Sequence, residues 1–215
     1  MISNPIYFQD FALYANIFID CDGVILDSNH IKESNISQVL TKHLSNQILT
    51  ECLEYFNANP GIPREEKLRK YIQSEHLLSK ILDEYNTLNL KSLQNAKLVD
   101  GVLDFLNAMR KKGKKVYMVS GGSEDELLSI FSNKNLLHYF DEILGGPKSK
   151  AENIRLLNYQ GNSIFIGDSQ LDLEVASFYK MDFIFVSGYT NYDLNNVQQK
   201  IKFYTIQNFK QIKLK

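Results

Sequence analysis

The chain has 215 residues, of which 44% are hydrophobic and 23% charged, and its formal net charge is −1. These values are typical of a soluble globular protein with one domain, with or without an insertion, and the balanced charge argues against nucleic acid or an anionic membrane surface as a partner. No apolar run is long enough to span a bilayer, and no secretory signal is recognisable. Cys21 and Cys52 lack metal-ligand or disulfide spacing, so we expect a cytoplasmic protein.

The first predicted strand begins after residue 15 and ends at Asp20, the first of two acidic residues. It follows an aromatic-rich segment and leads into Asp22 and Gly23. Short apolar runs are typical of buried strands, and the carboxyl ends of such strands carry the chemistry of open α/β sheets. A carboxylate buried there costs free energy unless a cation or hydrogen-bond donors stabilise it. The pair therefore indicates either a metal site with a nucleophile or two carboxylates that cap loop amides.

Residues 28–97 have a different character. Apolar residues recur at spacings of three and four, for example over residues 31–44, and a loop rich in Pro, Gly and Asn lies at 57–63. This pattern predicts an all-helical insertion over residues 28–97. The flanking segments, 1–27 and 98–215, would then form one core domain.

Beyond residue 100, predicted helices and strands alternate. Helices are expected at 102–112, 124–134, 151–159 and 171–179, and strands at 115–119, 142–144, 163–166, 183–186 and 203–206. The segment from Ser123 to Glu126 has the pattern of a capping box at the start of the second of these helices. The alternation predicts an α/β fold, with a Rossmann-like parallel sheet flanked by helices on both faces.

Small and polar residues follow the second predicted strand, which ends at Val119. Ser120, Gly121 and Gly122 stand between that strand and the start of a helix, where backbone amides and the positive helix end would hold a phosphate. The same residues are also typical of a glycine-rich turn with Ser123 as the helix N-cap. Both interpretations can hold at once.

Charged residues follow the third and fourth predicted strands. Lys148 and Lys150 come after the third, where either could neutralise a phosphate or a nucleophile, and Asp168 and Asp172 come after the fourth. A hard divalent cation such as Mg²⁺ prefers a few carboxylate oxygens and waters, which Asp168 together with Asp20 would supply. Asp172 is equally typical of an acidic residue in the first turn of a helix.

Four motifs in this order resemble those of the haloacid dehalogenase-like hydrolase superfamily, and the likeness extends from residue 16 to residue 186: DxDGVxxDS, VSGG, a lysine, and GDSxxD. It implies that Asp20 is a nucleophile that forms an aspartyl-phosphate. Asp22 would protonate the leaving alkoxide and then activate water, and Ser120 would bind the transferring phosphoryl group. Lys150, which opens a helix, is favoured as the active-site lysine, while Lys148 fits another spacing of the family motif.

The same resemblance implies a metal cofactor, Mg²⁺. Asp20, Asp168 and the backbone carbonyl of Asp22 would bind it. Asp172 is a further candidate, in direct or water-mediated contact with the metal. No other cofactor is implied, and the partner of the site would be a small phosphorylated metabolite.

The helical insertion resembles the small C1 cap carried at this place by the branch of the superfamily that includes β-phosphoglucomutase and phosphoglycolate phosphatase. Residues 60–68, PGIPREEKL, resemble the specificity loop of that cap. By this likeness Arg64 would reach a distal anionic group of the substrate, which its planar fork suits, and Lys67 is a second candidate. The alternative is that Arg64 pairs with Glu65 or Glu66 on the surface.

Two positions separate the activities of the superfamily. Dehalogenases lack the second acid, Asp22, and the histidine that phosphomutases carry early in the cap is Lys32 here. The resemblance therefore implies a Mg²⁺-dependent phosphatase that hydrolyses a small phosphate monoester, such as a sugar phosphate, as a monomer or homodimer. The cap would act as a lid, with hinges near residues 27–28 and 97–100.

Two alternatives stay open. A phosphomutase of the β-phosphoglucomutase type would use the same acids. A signalling module of the receiver type, phosphorylated on an aspartate, would bind partners without turnover. Such modules carry no helical insertion after the first strand, and a segment of that length is expected to form a structure of its own.

Overall fold

A six-stranded parallel sheet is the centre of the computed structural model, which describes residues 6–192, 194 and 201–213. In chain order the strands are β1 (Ile6–Tyr7), β2 (Asn16–Ile19), β3 (Lys115–Ser123), β4 (Glu142–Gly146), β5 (Ser163–Gly167), β6 (Asp182–Val186), β7 (Phe203–Ile206) and β8 (Ile212–Lys213). The large sheet has the order β4-β3-β2-β5-β6-β7, with neighbouring strands parallel throughout. β1 and β8 pair separately. The predicted Rossmann-like α/β fold is confirmed.

Helices connect the strands and fill the insertion. In the described part of the chain the α-helices are α1 (Asn29–Leu40), α2 (Asn46–Ala58), α3 (Arg64–Arg69), α4 (Glu75–Leu93), α5 (Val102–Lys111), α6 (Glu124–Asn133), α7 (Lys150–Leu156) and α8 (Gln170–Phe178). Short 3₁₀ turns occupy Phe8–Leu13, Leu137–Tyr139 and Phe209–Gln211. None of these described helices combines the length and apolar character that a membrane span requires.

Both faces of the sheet are buried, because successive residues of a strand point to opposite sides. On one face the strands pack against α5 and α6, in a buried cluster that includes Ile17, Ile19, Val116, Met118, Ile164, Phe105 and Phe131. On the other face they pack against α7 and α8, in a cluster that includes Phe18, Val119, Phe165, Phe183, Ile154 and Leu173. Because both faces are buried, the central strands are continuous apolar runs in the sequence.

The four helices α1 to α4 have a hydrophobic cluster of their own. Its buried members include Ile36, Leu40, Cys52, Leu68 and Tyr85. The two segments that join these helices to the sheet run side by side. The amide of Asp27 donates to the carbonyl of Lys97 at 2.9 Å, and the amide of Val99 donates to the carbonyl of Ile25 at 2.9 Å. The chain thus leaves the sheet layer and returns to it at one place.

Three local predictions need correction. β3 does not end at Val119 but continues to Ser123, and α7 ends at Leu156 rather than at Tyr159. Ser123 is the N-cap of α6, but its side chain makes no capping hydrogen bond, so the predicted capping box is wrong. Complete capping boxes form instead at Ser149 with Glu152 and at Ser169 with Asp172.

The aromatic packing of α5 yields a stability prediction. Phe105 is fully buried, and its ring lies 5.2 Å from that of Phe11 and 5.0 Å from that of Phe209, so it joins both ends of the chain to the sheet layer. Phe105→Ala should lower the free energy of unfolding by about 3–5 kcal/mol, because it leaves a large cavity. Urea denaturation measures this, with the partly exposed Leu103→Ala as the control from the same helix. Equal losses in the two variants would contradict the packing role.

Candidate active site

The carboxyl ends of β2, β3 and β5 form the edge at which the predicted site residues meet. Ile19 of β2 pairs in register with Met118 of β3 and with Ile166 of β5. The chain passes from β2 to β3 on one side and later to β5 on the other, so the strand order reverses at β2. Open α/β sheets bind their ligands at such a reversal. Asp20 and Asp168 directly follow β2 and β5 at this edge.

Lys150, the first residue of α7, lies between two buried carboxylates. Its Nζ is 2.8 Å from Oδ1 of Asp20 and 2.6 Å from Oδ1 of Asp172. Burial alone would lower the pKa of this ammonium, but the charges of Asp172 and Asp20 outweigh burial and raise it. The other candidate lysine, Lys148, is exposed on the surface. Of the two, only Lys150 belongs to the acidic cluster.

Asp172 has its oxygens occupied by the protein. Oδ1 accepts from Lys150, and Oδ2 accepts from the amide of Asp168 at 3.2 Å and from the amide and hydroxyl of Ser169 at 3.2 and 2.6 Å. Gly167 packs so closely against this residue that a Cβ there would lie 2.4 Å from the Cβ of Asp172. Asp172 therefore fixes the turn after β5 and orients Lys150.

Asp20, Asp168 and Asp172 offer oxygens that lie within 4.8 Å of one another, all on buried residues. Burial, followed by the charge of Asp20 and then that of Asp172, raises the pKa of Asp168 well above its ordinary value. Burial likewise raises the pKa of Asp20 to about 7, although Lys150 opposes the shift. Among the described residues, Lys150 is the one cation that pairs with this cluster, and it contacts two of the three carboxylates, so the cluster has an excess of negative charge. Oxygen donors with such an excess suit a hard divalent cation.

Asp22 faces the helical insertion and not this cluster. It accepts a hydrogen bond from Nζ of Lys32 in α1 at 2.5 Å and another from the hydroxyl of Ser28 at 2.6 Å. Burial would raise the pKa of Asp22, but the Lys32 charge and these two hydrogen bonds outweigh it and bring the pKa below its ordinary value. The two acids of the first motif thus have separate surroundings.

Lys32 was not identified as a site residue from the sequence. Its ammonium contacts Asp22 and lies 3.9 Å from Oε1 of Glu126. Burial would lower the pKa of Lys32, yet the charges of Asp22 and Glu126 raise it. The available signal was its position early in the insertion, where the resemblance expects a histidine.

The stretch from Ser120 to Gly122 lies directly under the insertion. Ser120 is buried, and its hydroxyl accepts a hydrogen bond from the amide of Gly122 at 3.1 Å. A Cβ on Gly121 would lie 2.4 Å from the carbonyl oxygen of Gly61, and a Cβ on Gly122 would lie 3.5 Å from Nζ of Lys32. Glycine is required at position 121 because the loop of the insertion closes over it.

Arg64 forms a buried bridge between the insertion and the sheet layer. Its Nη1 donates to Oε2 of Glu126 at 2.9 Å and to Oδ1 of Asn86 at 2.6 Å, and its Nη2 donates to Oε1 of Glu126 at 2.8 Å. The guanidinium also lies 5.1 Å from the centre of the Tyr85 ring. The predicted surface pairing with Glu65 or Glu66 is wrong, because Glu126 takes the fork of Arg64.

Lys67, one turn further along α3, is buried without a carboxylate partner among the described residues. Its Nζ donates to the carbonyl of Phe56 at 3.1 Å and lies 3.6 Å from the centre of the Phe56 ring. Burial, reinforced by the positive charges of Lys32 and Arg64, lowers the pKa of Lys67 to about 7, while Asp22 and Cys52 oppose the shift. A neutral amine is therefore well populated near neutral pH.

A cavity of about 590 Å³ lies between the sheet edge and the insertion and is lined by part of this set of residues. Its volume falls in the range of small-molecule sites. Its lining includes acids of the sheet edge and cations of the insertion, among them Asp20, Asp22, Asp168, Lys32, Arg64 and Lys67. Gly121 and Gly122 lie between the two sets.

Comparison with known proteins relates this site to a family. Residues 17–186 match the family model described as haloacid dehalogenase-like hydrolase. No curated protein matches the chain.

Solved structures share the fold. A predicted phosphatase from Clostridium acetobutylicum has a TM-score of 0.70 and 22% identity, over 89% of this chain and 94% of that chain. CbbY from Rhodobacter sphaeroides, in complex with phosphate, has a TM-score of 0.70 and 13% identity, over 91% and 95%. A mutant form of CbbY was solved with xylulose-(1,5)bisphosphate and aligns equally well. A haloacid dehalogenase-like family protein from Streptococcus pneumoniae has a TM-score of 0.66 and 17% identity, over 90% and 94%.

The buried ammonium of Lys67 predicts a stability that depends on pH. An unfolded lysine keeps its proton to about pH 10, whereas folded Lys67 begins to lose it near pH 7. The cost of burying the charge is therefore complete below pH 7 and disappears as the pH rises from 7 towards 10. Lys67→Met should stabilise the fold at about pH 6, by a gain on the order of a few kcal/mol that shrinks towards pH 10.

Urea denaturation at several pH values measures this gain. The control is Lys70→Met, which removes an exposed charge beside the same helix. A gain from Lys67→Met that stays constant from about pH 6 to pH 10 would contradict the buried-charge interpretation.

Proposed function

Since the chain belongs to the haloacid dehalogenase-like hydrolases, we propose that it is a phosphatase that hydrolyses small phosphate monoesters through an aspartyl-phosphate on Asp20. The observation that carries this proposal is the separation of the two acids. Asp20 lies with Lys150 and Asp168 at the sheet edge, while Asp22 is held by Lys32 and Ser28 at the wall of the same cavity. One acid is thus placed to attack and the other to handle a proton.

In the first half of the proposed reaction, a carboxylate oxygen of Asp20 attacks phosphorus and the bond to the leaving oxygen breaks. Lys150 supports this role, because its ammonium lies 2.8 Å from Asp20 and neutralises charge on the phosphoryl group as well. Ser120 and the amides beside it would hold a phosphoryl oxygen. Asp22 would give the departing alkoxide a proton, which the ester supplies when it enters as its monoanion and passes its phosphate proton to the Asp22 carboxylate.

In the second half, water attacks the aspartyl-phosphate and releases inorganic phosphate, so that Asp20 is regenerated. Asp22, then a carboxylate, takes the proton of that water. Its hydrogen bonds from Lys32 and Ser28 favour the carboxylate form and hold it towards the cavity. The absence of a histidine at position 32 weighs against the phosphomutase alternative.

The donor set fits Mg²⁺ as the cofactor. When bound, this ion would polarise the phosphoryl group and offset its negative charge. Asp20 and Asp168 keep carboxylate oxygens facing the cavity, and the carbonyl of Asp22 is the third proposed ligand. Asp172 does not fit as a direct ligand, because Lys150 and the turn at Ser169 occupy its oxygens. We propose instead that Asp172 positions the ammonium of Lys150.

We propose that residues 28–97 are a cap over a core formed by residues 1–27 and 98–215. Its separate hydrophobic cluster and its paired connecting segments support this division. The contact of Gly61 with Gly121 gives the cavity a roof that would exclude water during the first step. A phosphorylated metabolite is the proposed substrate, in keeping with the phosphate and bisphosphate bound to CbbY.

Phosphate release from a panel of phosphate monoesters with Mg²⁺ tests the chemistry. Asp20→Asn should abolish turnover, because an amide is a poor nucleophile for phosphorus, and Asp22→Asn should reduce it by at least about 10²-fold. Asp125→Asn, which removes an exposed acid from α6, is the control and should retain full activity. If wild type released no more phosphate than Asp20→Asn across the panel, the phosphatase proposal would fail.

Removal of the metal tests the assignment of the acids. A chelator should abolish phosphate release, and added Mg²⁺ should restore it. Asp168→Asn should raise the Mg²⁺ concentration needed for half-maximal activity, because it removes a ligand. Asp172→Asn should chiefly lower the melting temperature, because it leaves Lys150 with fewer partners. If Asp172→Asn raised the Mg²⁺ requirement and Asp168→Asn lowered only the melting temperature, Asp172 would be the metal ligand.

A further inference from the structure

Lys67 and Lys150 are the lysines that the described part of the chain buries, with 6% and 2% exposure. Lys150 contacts the carboxylates of Asp20 and Asp172 and has a part in the proposed reaction. Lys67 lines the cavity, but among the described residues no carboxylate forms an ion pair with it. An ion pair therefore does not account for its burial.

The contacts of the Lys67 nitrogen leave it open to a reactant. Nζ donates one hydrogen bond, to the carbonyl of Phe56 at 3.1 Å, and lies 3.6 Å from the centre of the Phe56 ring. An ammonium has three N–H donors, so the neutral amine has two N–H bonds and one lone pair. The contact with Phe56 uses one N–H and leaves the lone pair. Because Lys67 lines a cavity of about 590 Å³, a small molecule can reach this nitrogen.

The charges around Lys67 favour the neutral amine over the ammonium. Burial and the positive charges of Lys32 and Arg64 lower the pKa of Lys67 to about 7, while Asp22 and Cys52 oppose the shift. The neutral amine is the nucleophilic form of lysine. The same two positive charges that disfavour an ammonium would stabilise an anion formed on this nitrogen.

We propose that Lys67 is a modification site at which the side-chain amine adds carbon dioxide to form a carbamate. The lone pair of Nζ bonds to the carbon atom, and one electron pair of a C=O bond moves to oxygen. One N–H proton leaves to water in the cavity. The product is an N-linked carboxylate with one negative charge, and no oxidant or reductant takes part.

Carbon dioxide suits this position because it is small and uncharged, so it can enter a buried wall of the cavity. The carbamate nitrogen keeps one N–H, which can stay on the carbonyl of Phe56. Its carboxylate is the kind of group that the charges of Lys32 and Arg64 stabilise.

The modification would change the charge of the cavity wall at position 67 from neutral or positive to negative. An anionic substrate would then meet a less favourable site, so carbon dioxide would regulate the site through its charge. The inference goes beyond the proposed function and does not depend on it, because the carbamate forms without a phosphate ester.

Chemical trapping tests the modification directly. Wild type is equilibrated at about pH 8 with carbon-13-labelled carbon dioxide, treated with triethyloxonium ion to convert a carbamate into its stable ethyl ester, and mapped by peptide mass spectrometry. The expected adduct lies on Lys67, increases with the carbon dioxide concentration and disappears after degassing. Exposed Lys70, beside the same helix, is the internal control. No adduct on Lys67, or equal labelling of Lys70, would overturn the proposal.

Thermal unfolding separates the covalent adduct from a bicarbonate ion that binds without reacting. At constant pH and ionic strength, carbon dioxide should raise the melting temperature of wild type by roughly 2–4 °C once the site is mostly occupied, because only the folded chain favours the adduct. Lys67→Arg keeps a positive charge but cannot form the carbamate, so it should lose this rise. Lys70→Met should show the same rise as wild type. A rise in Lys67→Arg as large as that in wild type would mean ion binding only and would contradict the modification.

Discussion

The buried ion pair network around Lys150 is the constraint on which the site depends. One ammonium on α7 holds Asp20 after β2 and Asp172 after β5, so three separate connections of the sheet converge on a single nitrogen. A buried network of this kind stabilises only if every member has a partner, and removal of one member leaves an uncompensated charge. The position of Asp20 is therefore coupled to that of the turn that carries Asp168.

A second set of ion pairs joins the sheet layer to the insertion across the cavity. Asp22 and Glu126 on one side receive Lys32 and Arg64 from the other. These pairs are at least half-buried, and attraction between opposite charges strengthens as both lose water. In the proposed mechanism, the contact between the insertion and the sheet layer would therefore depend on the charge state of Asp22. Among the described residues, Lys67 has no carboxylate partner of this kind.

The sequence was sufficient for the sheet and for the strand-end acids, because both depend on local patterns. Apolar runs fix the strands, and Asp20 and Asp168 follow them directly. Partners that are distant along the chain were not predictable. Ser123 and Glu126 have the spacing of a capping box, but no capping hydrogen bond forms at Ser123. The carboxylate of Glu126 pairs with the Arg64 guanidinium instead. Lys32 was missed as a site residue because its contact with Asp22 is visible only in the folded chain.

The side-by-side connecting segments at Ile25–Asp27 and Lys97–Val99 have an evolutionary consequence. Because the chain departs and returns at adjacent points that are hydrogen-bonded to each other, the length and contents of the intervening segment place no strain on β2 or on α5. Selection can exchange, lengthen or redecorate the helices between these points while the sheet edge with its acids stays the same. The cations that line the cavity belong to the exchangeable helices, and the proposed nucleophile, Asp20, belongs to the sheet edge. New substrate preferences can therefore arise here without any change in the reacting groups.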